Sequence, residues 1–425
     1  MKFTHICVIG LGYIGLPTSA MFATHGIKVT GVDNNPEVVA ALKDGKVHIY
    51  EPGLSEIVKS AAESGMLTAA NHPVEADAFI IAVPTPFYGD KKADLSFVRS
   101  AAESIVPVLR QGNLVVLESP SPPLTTETVV RPILEQTGLV AGKDFLLAYS
   151  PERVLPGRIL EELISNARVI GGIDGPSAEA GRDLYGTFVK GDIILTNATT
   201  SEMVKLMENT YRDVNIAIAN EFSRLADRFG VDVWEAIQIA NLHPRVKILS
   251  PGPGVGGHCI SVDPWFFVEA APDLTPLIHT AREVNDSQPE FVLKTLENTL
   301  GTLEGKHIAV LGLAFKPDVD DLRESPAVEA AHLFAQAGAQ VRAYEPFKPD
   351  FVTPHVRVTP TLSEAIENAD ALVLLVGHAQ FKALDPQVVR AQTHADVVLD
   401  TVNGWNYDAW TAAGFKVVKL GKGQR

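Results

Sequence analysis

Cysteine is scarce in this chain: its 425 residues include two, Cys7 and Cys259, too few and too far apart for a disulfide framework, which fits a reducing compartment. Long hydrophobic runs are also missing. No apolar stretch approaches the roughly 18 residues a spanning helix needs, so no membrane segment is expected. Positive charge is outnumbered, with 36 Lys and Arg against 51 Asp and Glu. The formal charge of −15 excludes nucleic acid or an anionic membrane surface as the main partner. A few local arginines would still suffice for an anionic small molecule. Met1 to His5 runs directly into an apolar strand and leaves no room for a signal peptide, so the chain reads as cytoplasmic. The remainder is ordinary globular material, 46% hydrophobic and 20% charged, long enough for two or three domains.

Short apolar runs alternate with helical patterns through the first half: Ile6–Ile9, Val29–Val32, Phe79–Val83, Leu114–Leu117, Phe145–Ala148, Val169–Ile170 and Ile193–Leu195. Near-continuous apolar strands separated by helices predict a parallel sheet covered on both faces. From Thr200 the pattern becomes long helices, Glu202 to Arg228, Val233 to Asn241 and Leu277 to about Leu300. The strand pattern then returns at His307–Gly312, Gln340–Tyr344, Ala371–Val376, Val397–Asp400 and Lys416–Lys419. The expected architecture is α/β, with two Rossmann-like doubly wound domains, residues 1–198 and 303–425, flanking a long-helix central domain, residues 199–302.

The first strand leads into Gly10-Leu11-Gly12-Tyr13-Ile14-Gly15, and the second ends at Asp33. Gly-x-Gly-x-x-Gly between strand and helix brings backbone N–H groups against a pyrophosphate, and an acidic residue about twenty positions on takes the adenosine ribose hydroxyls. The carboxylate repels a 2′-phosphate, so NAD is favoured over NADP. Thr85, in Pro84-Thr85-Pro86, follows the strand Phe79–Val83 at the sheet edge where such folds place ligands. The second α/β unit instead opens Gly312-Leu313-Ala314-Phe315-Lys316-Pro317, which lacks the triple glycine and predicts a different phosphate ligand held by Lys316.

Cys259 lies in Gly252-Pro253-Gly254-Val255-Gly256-Gly257-His258-Cys259, with Asp263 four residues on. Glycines without side chains predict open space around the thiol, which suits a nucleophile approached by a bulky substrate. His258 is assigned no catalytic role, because sequence neighbours seldom face each other. On the central helix Lys205, Asn209 and Arg212 share a face at i, i+4 and i+7, opposite an apolar stripe of Met203, Leu206, Met207 and Val214. His243-Pro244-Arg245 lies on connecting chain ahead of the glycine-rich loop.

Together these segments resemble the UDP-sugar and GDP-sugar dehydrogenases over essentially the whole chain: the glycine fingerprint, Ser150-Pro151-Glu152, the Lys205/Asn209 helix and Gly256-Gly257-His258-Cys259 with Asp263-Pro264. The segments Pro151–Gly157, Tyr211–Asn215, His243–Arg245, Phe315–Pro317 and Asp321–Pro326 are similar to members that act on UDP-N-acetyl-D-mannosamine. The resemblance implies oxidation of a sugar C6 alcohol to the carboxylate with two NAD, through a thiohemiacetal and thioester on Cys259. It implies Lys205 as electrostatic stabiliser or acid/base, Asn209 as donor, Asp263 working with Lys205 through water, and Glu152 positioning or activating the hydrolytic water. Arg153, Val154, Lys205, Asn209, Arg212, His243, Arg245, Gly256, Phe315 and Lys316 match substrate contacts. Gly10, Gly12, Tyr13, Ile14, Gly15, Asp33 and Thr85 match cofactor contacts, with Arg323 reaching the cofactor from a neighbouring subunit of a homodimer. No metal is called for.

The chain departs from the family at Glu118-Ser119-Pro120-Ser121-Pro122, where a threonine hydroxyl is expected at 120, and at Ser261, where proline is common. Ser119, Ser121 and Thr125 are candidate replacements. The alternatives are the same chemistry on UDP-N-acetylglucosamine or UDP-glucose, a two-electron hydroxyacid-type dehydrogenase that leaves Cys259 idle, and a non-enzymatic nucleotide-sugar or NAD sensor.

Overall fold

The computed structural model describes residues 2–87, 89, 91–155 and 157–423; Pro156 of the segment Pro151–Gly157 lies outside the described residues. Two compact units emerge, residues 1–208 with 265–272, and residues 209–264 with 273–425.

The first unit carries an eight-stranded sheet. Its strands are β1 (His5–Ile9), β2 (Lys28–Val32), β3 (Leu67–Ala70), β4 (Ala78–Ile81), β5 (Leu114–Leu117), β6 (Leu146–Tyr149), β7 (Arg168–Gly172) and β8 (Ile193–Asn197), in the order β3-β2-β1-β4-β5-β6-β7-β8. Burial on both faces explains the apolar runs. Alternate residues of β1 enter different clusters, Ile6 and Val8 on one side, Cys7 and Ile9 on the other. Each fully buried Ile, Val or Phe there contributes roughly 2 kcal/mol. Burial pushes the Cys7 thiol up to about 11, which makes it inert packing.

One expectation fails here. The sheet is not wholly parallel, because β7 runs antiparallel to β6, with Ala148 opposite Gly172 and Tyr149 opposite Gly171. An apolar run buried on both faces looks the same in either direction, so Val169–Ile170 held no sign of it. The short edge strand β3 was also missed, since Leu67-Thr68-Ala69-Ala70 is only partly buried and weakly apolar.

The second unit holds a wholly parallel six-stranded sheet of β9 (His307–Leu311), β10 (Gln340–Tyr344), β11 (Val356–Val358), β12 (Ala371–Leu374), β13 (Val397–Asp400) and β14 (Lys416–Lys419), in the order β11-β10-β9-β12-β13-β14. Between the sheets in sequence run the long helices. Ala198–Phe229 spans 32 residues, and Glu208 is the last residue of the first unit within it. The segment expected as one helix from Leu277 to Leu300 is two, Pro276–Asp286 and Gln288–Leu300. Pro289 enters the first turn of the second, where a missing N–H is tolerated but a continuous helix would lose a bond.

The long helix keeps its expected faces only in part, with Leu206 buried and Arg212 exposed. Met203 and Met207 are exposed, while Lys205, Asn209, Asp213, Asn220 and Ser223 are buried along with Leu206. In the second unit these polar groups have partners. Asp213 is paired with Arg282 and accepts from Asn285 Nδ2 at 2.8 Å, and Asn220 Nδ2 donates to Asn285 Oδ1 at 2.9 Å. Asp213 Oδ2 and Arg282 Nε are left without a hydrogen-bond partner, so this polar interior is only partly satisfied.

Candidate active site

In the first unit the sheet order reverses between β1 and β4, and the turn after β1 opens at that switch point. Gly10 has φ +94°, and a Cβ there would meet the Ala82 carbonyl oxygen at 2.5 Å; at Gly15 it would meet the Gly10 carbonyl at 1.8 Å. A Cβ at Gly12 would meet nothing within 4 Å. The outer two glycines are thus demanded by backbone packing, and the middle one leaves a bare surface where a pyrophosphate would rest. Asp33 Oδ2 accepts from Leu11 N at 3.0 Å and Oδ1 from Asn35 N at 2.9 Å, which fixes the carboxylate beside the turn with lone pairs remaining for ribose hydroxyls. Tyr13 and Ile14 are the other residues of the turn, and Thr85 follows β4 half-buried. These residues fit NAD.

The second sheet shows why its own turn differs. Glu345, at the position of Asp33, is fully buried: its Oε2 accepts from Leu313 N at 2.7 Å and Ala314 N at 2.9 Å and lies 3.2 Å from His378 Nε2. It braces its own turn and presents no carboxylate to a ribose.

The predicted hydrolytic residue Glu152 stands two residues after Ser150, which itself follows β6, and it is nearly buried. Its Oε1 accepts from Arg153 N at 2.7 Å, and its Oε2 takes two bonds of 3.0 Å from Arg168, the first residue of β7. The same guanidinium donates to Glu118 Oε1 at 2.6 Å and to Ser150 Oγ at 2.9 Å, and stacks 3.9 Å from the Tyr185 ring centroid. Tyr185 Oη donates to Glu118 Oε1 at 2.6 Å. Burial pushes Glu118 up to about 7 despite the opposing Arg168 charge, with Glu152 repelling it further. Arg153 turns its guanidinium to Glu208 and to the Ala167 carbonyl, and Val154 packs at the edge of the core. Lys205 is buried on the same unit. At the departure from the family, Ser119, Ser121 and Thr125 are all buried, and each donates its hydroxyl proton to a backbone carbonyl, of Val83, Ser119 and Pro122 in turn.

In the second unit the glycine-rich loop is laced to the turn after β9. A Cβ at Gly254 would meet Pro326 at 2.8 Å, at Gly256 the Glu324 carbonyl at 2.3 Å, and at Gly257, with φ +89°, the Phe315 ring at 2.7 Å. The expected open space is therefore corrected: these glycines let backbone and ring approach, and Gly257 N donates to the Arg323 carbonyl at 3.1 Å. The consequence is that the loop bearing half-buried Cys259 packs against Phe315. Val262 N and Asp263 N both bond back to the Cys259 carbonyl, and Ser261 Oγ donates to the Gly257 carbonyl, which closes the turn. Asp263 is buried and accepts from Asn209 Nδ2 at 2.6 Å, a pairing of two candidate site residues that the sequence did not suggest. Arg212, His243 and Arg245 are exposed.

His258 does face its sequence neighbour Cys259, and it has further partners. Its Nδ1 lies 3.3 Å from Asp321 Oδ2 and 2.9 Å from Arg323 Nη2, and the pair Asp321–Arg323 is closed at 2.7 Å. Burial lowers its basicity, but hydrogen bonds to Asp321 and to the Cys259 side chain outweigh burial and raise it to about 9. A chain turn between 258 and 259, pinned by the glycines, lets these neighbours meet.

The class this fold and site define is confirmed by comparison. Residues 4–189 match the NAD binding domain, 199–287 the central domain and 309–407 the UDP binding domain of the UDP-glucose/GDP-mannose dehydrogenase family, and the chain belongs to that family. NAD is its cofactor. It is 47% identical, over 99% of this chain and 97% of the other, to a UDP-N-acetyl-D-mannosamine dehydrogenase of Methanocaldococcus jannaschii. It is 46% identical to an NDP-N-acetyl-D-galactosaminuronic acid dehydrogenase of Ralstonia nicotianae, over 96% and 97%. The solved structure of a UDP-D-ManNAc dehydrogenase from Pyrococcus horikoshii superposes with a TM-score of 0.92 at 41% identity, covering 99% and 100% of the two chains. Among the described residues, no helix is long and apolar enough to cross a membrane.

Proposed function

We propose that the protein oxidises UDP-N-acetyl-D-mannosamine to UDP-N-acetyl-D-mannosaminuronate. The observation that carries this is the half-buried Cys259 thiol on a glycine loop packed against Phe315, four residues before the Asp263 that accepts from Asn209, in a chain that also bears the bare Gly12 turn and Asp33. The high identity to the Methanocaldococcus relative supports the choice of sugar. The three-domain division 1–198, 199–302 and 303–425 is supported by where the family matches begin and end.

Bound NAD supplies the hydride acceptor for both oxidations, one molecule for each. The chain's own residues do the rest. Lys205 offsets negative charge on the C6 oxygen as its proton passes to water, and Asn209, oriented by Asp263, adds a donor. The Cys259 thiolate then bonds to the aldehyde carbon, which gives a thiohemiacetal whose carbon again bears H and O. After the second oxidation a thioester remains. Water adds to its carbon, the C–S bond breaks, sulfur leaves as thiolate, and Glu152 takes a proton of the water. Arg153, Val154, Arg212, His243, Arg245, Gly256, Phe315 and Lys316 hold the UDP-sugar, and Arg323 serves the cofactor of a neighbouring subunit.

A reduced thiol at Cys259 supports a cytoplasmic setting. A homodimer is supported by the second half of the long helix, where Tyr211, Ile218, Phe222, Leu225 and Phe229 are exposed at helical spacing. Phe222→Asp with Leu225→Asp should yield monomer in sedimentation at micromolar concentration; unchanged mass would remove that face from the interface. The reaction itself is tested by NADH counted per sugar over a panel of UDP-sugars. Two per UDP-N-acetyl-D-mannosamine, and a collapse of the second in Cys259→Ser with UDP and NAD binding retained, are expected. A Cys259→Ser protein that still gives two at the parent rate would refute the covalent route.

A further inference from the structure

We propose that Glu118 is a positioning residue for the hydrolytic half of the reaction: acting through Arg168, it sets how firmly the Glu152 carboxylate is held and so how freely it can meet the attacking water. The inference rests on the reading of Glu152 given above and adds a residue that touches neither substrate nor cofactor.

The reversed strand makes the arrangement. β6 and β7 pair with Ala148 opposite Gly172 and Tyr149 opposite Gly171, and continuing that register past the end of β6 sets Glu152 opposite Arg168. A parallel β7 would have carried Arg168 to the far edge of the sheet. Because it is antiparallel, its first residue lies where the parallel strands end, between Glu118 after β5 and Glu152 after β6.

Two buried carboxylates then share one guanidinium. Were both ionised, the cluster would hold one net negative charge out of water, a costly state that protonation of one partner relieves. Geometry decides which one. Glu152 takes three N–H bonds, two from Arg168 and one from Arg153 N. Glu118 takes one from Arg168 and one from the Tyr185 hydroxyl, both on Oε1, and its buried Oε2 has no hydrogen-bond partner. The proton therefore sits on Glu118 Oε2. The titratable groups acting on Glu118 are Arg168 from β7, Glu152 from the segment after β6 and Tyr185 from the helix Gly175–Tyr185, and burial with Glu152 outweighs the other two to hold it at about 7.

The consequence for Glu152 follows from the shared guanidinium. With Glu118 neutral, Arg168 is left to Glu152 and its two bonds pin the Glu152 Oε2. With Glu118 ionised, the two carboxylates compete for Arg168, and Glu152 is freer to turn toward the attacking water. Hydrolysis should therefore quicken as pH rises through the Glu118 transition, while the hydride steps need not.

The experiment compares the full-length protein with Glu118→Gln and Tyr185→Phe. Infrared difference spectra across pH 5 to 9 in the protein without substrate should show a neutral-carboxyl C=O band titrating near 7, absent in Glu118→Gln. In turnover with UDP-N-acetyl-D-mannosamine, wild-type kcat should rise through the same pH. Glu118→Gln, locked in the neutral form, should be flat there and about tenfold slower at pH 8, with KM and the first burst of NADH unchanged. Tyr185→Phe removes a bond that favours the ionised form and should move the inflection to higher pH. This variant still decides the matter if Glu118→Gln does not fold. An inflection kept by Glu118→Gln, or the lack of a titrating band in wild type, overturns the proposal. If wild type instead releases fewer than two NADH per sugar, the reading of the reaction fails, and the infrared band separates that failure from this one.

Discussion

Replacing Glu118 by glutamine should make the first unit more resistant to unfolding at pH 8 and change it far less at pH 5. In the unfolded chain the carboxyl releases its proton near its ordinary 4.5, whereas in the fold it keeps it to about 7. Between those values the folded state binds more protons, so its stability falls as pH rises. The contribution is fully present below 4.5 and is lost above 7. That interval, at about 1.4 kcal/mol per pH unit, amounts to about 3 kcal/mol. Glutamine keeps the shape and cannot ionise, so it escapes the loss. The advantage of Glu118→Gln over wild type should therefore grow by about 3 kcal/mol from below pH 4.5 to above pH 7, most of it already between pH 5 and 8. Hydrogen exchange of peptides covering β5 and β6 in graded urea would measure it, since these report the first unit rather than an average over both. An advantage that does not grow with pH would show that Glu118 is ionised throughout and that Arg168 fully neutralises it.

Gly10→Ala should lower the melting temperature and abolish NAD binding, because φ +94° and an Ala82 carbonyl 2.5 Å from the new Cβ cost about 2 kcal/mol or more; a titration with intact affinity would contradict the fit of the turn. Asp33→Ala should weaken NAD binding and narrow the preference over NADP, and an unchanged ratio of kcat/KM values for the two would remove the role of its carboxylate. His258 should lose its proton near pH 9 in an imidazole titration followed by NMR, and Asp321→Asn should move that step to lower pH, because His258 owes its raised basicity partly to that carboxylate; an unmoved step would remove the role of Asp321.

The glycine turn and Asp33 were legible because their roles are written into a local backbone path: a spacing of two and three residues, then one acid at the end of the next strand. Cys259 was legible from its neighbours in sequence, yet the reason given for its glycines was the reverse of the real one. They admit Phe315, Glu324 and Pro326, residues some sixty positions away that no local pattern reveals. Arg168 was passed over for the same cause. It lies 16 residues from Glu152 and 50 from Glu118, and strand direction, which hydrophobicity does not encode, brings the three together. The faces of the long helix were partly misassigned because Asp213 and Asn220 become core residues only once Arg282 and Asn285 answer them.

The reversal of β7 limits where this chain can be divided. A fragment ending near residue 165 would contain the whole glycine fingerprint, Asp33 and six parallel strands, and by pattern alone would pass for a complete nucleotide-binding half. It would bury Glu118 and Glu152 with neither Arg168 nor Tyr185 to answer them. During synthesis the same debt stands until the chain has grown past Tyr185, so the last helical turn before the long helix closes a site whose carboxylates were laid down up to 67 residues earlier.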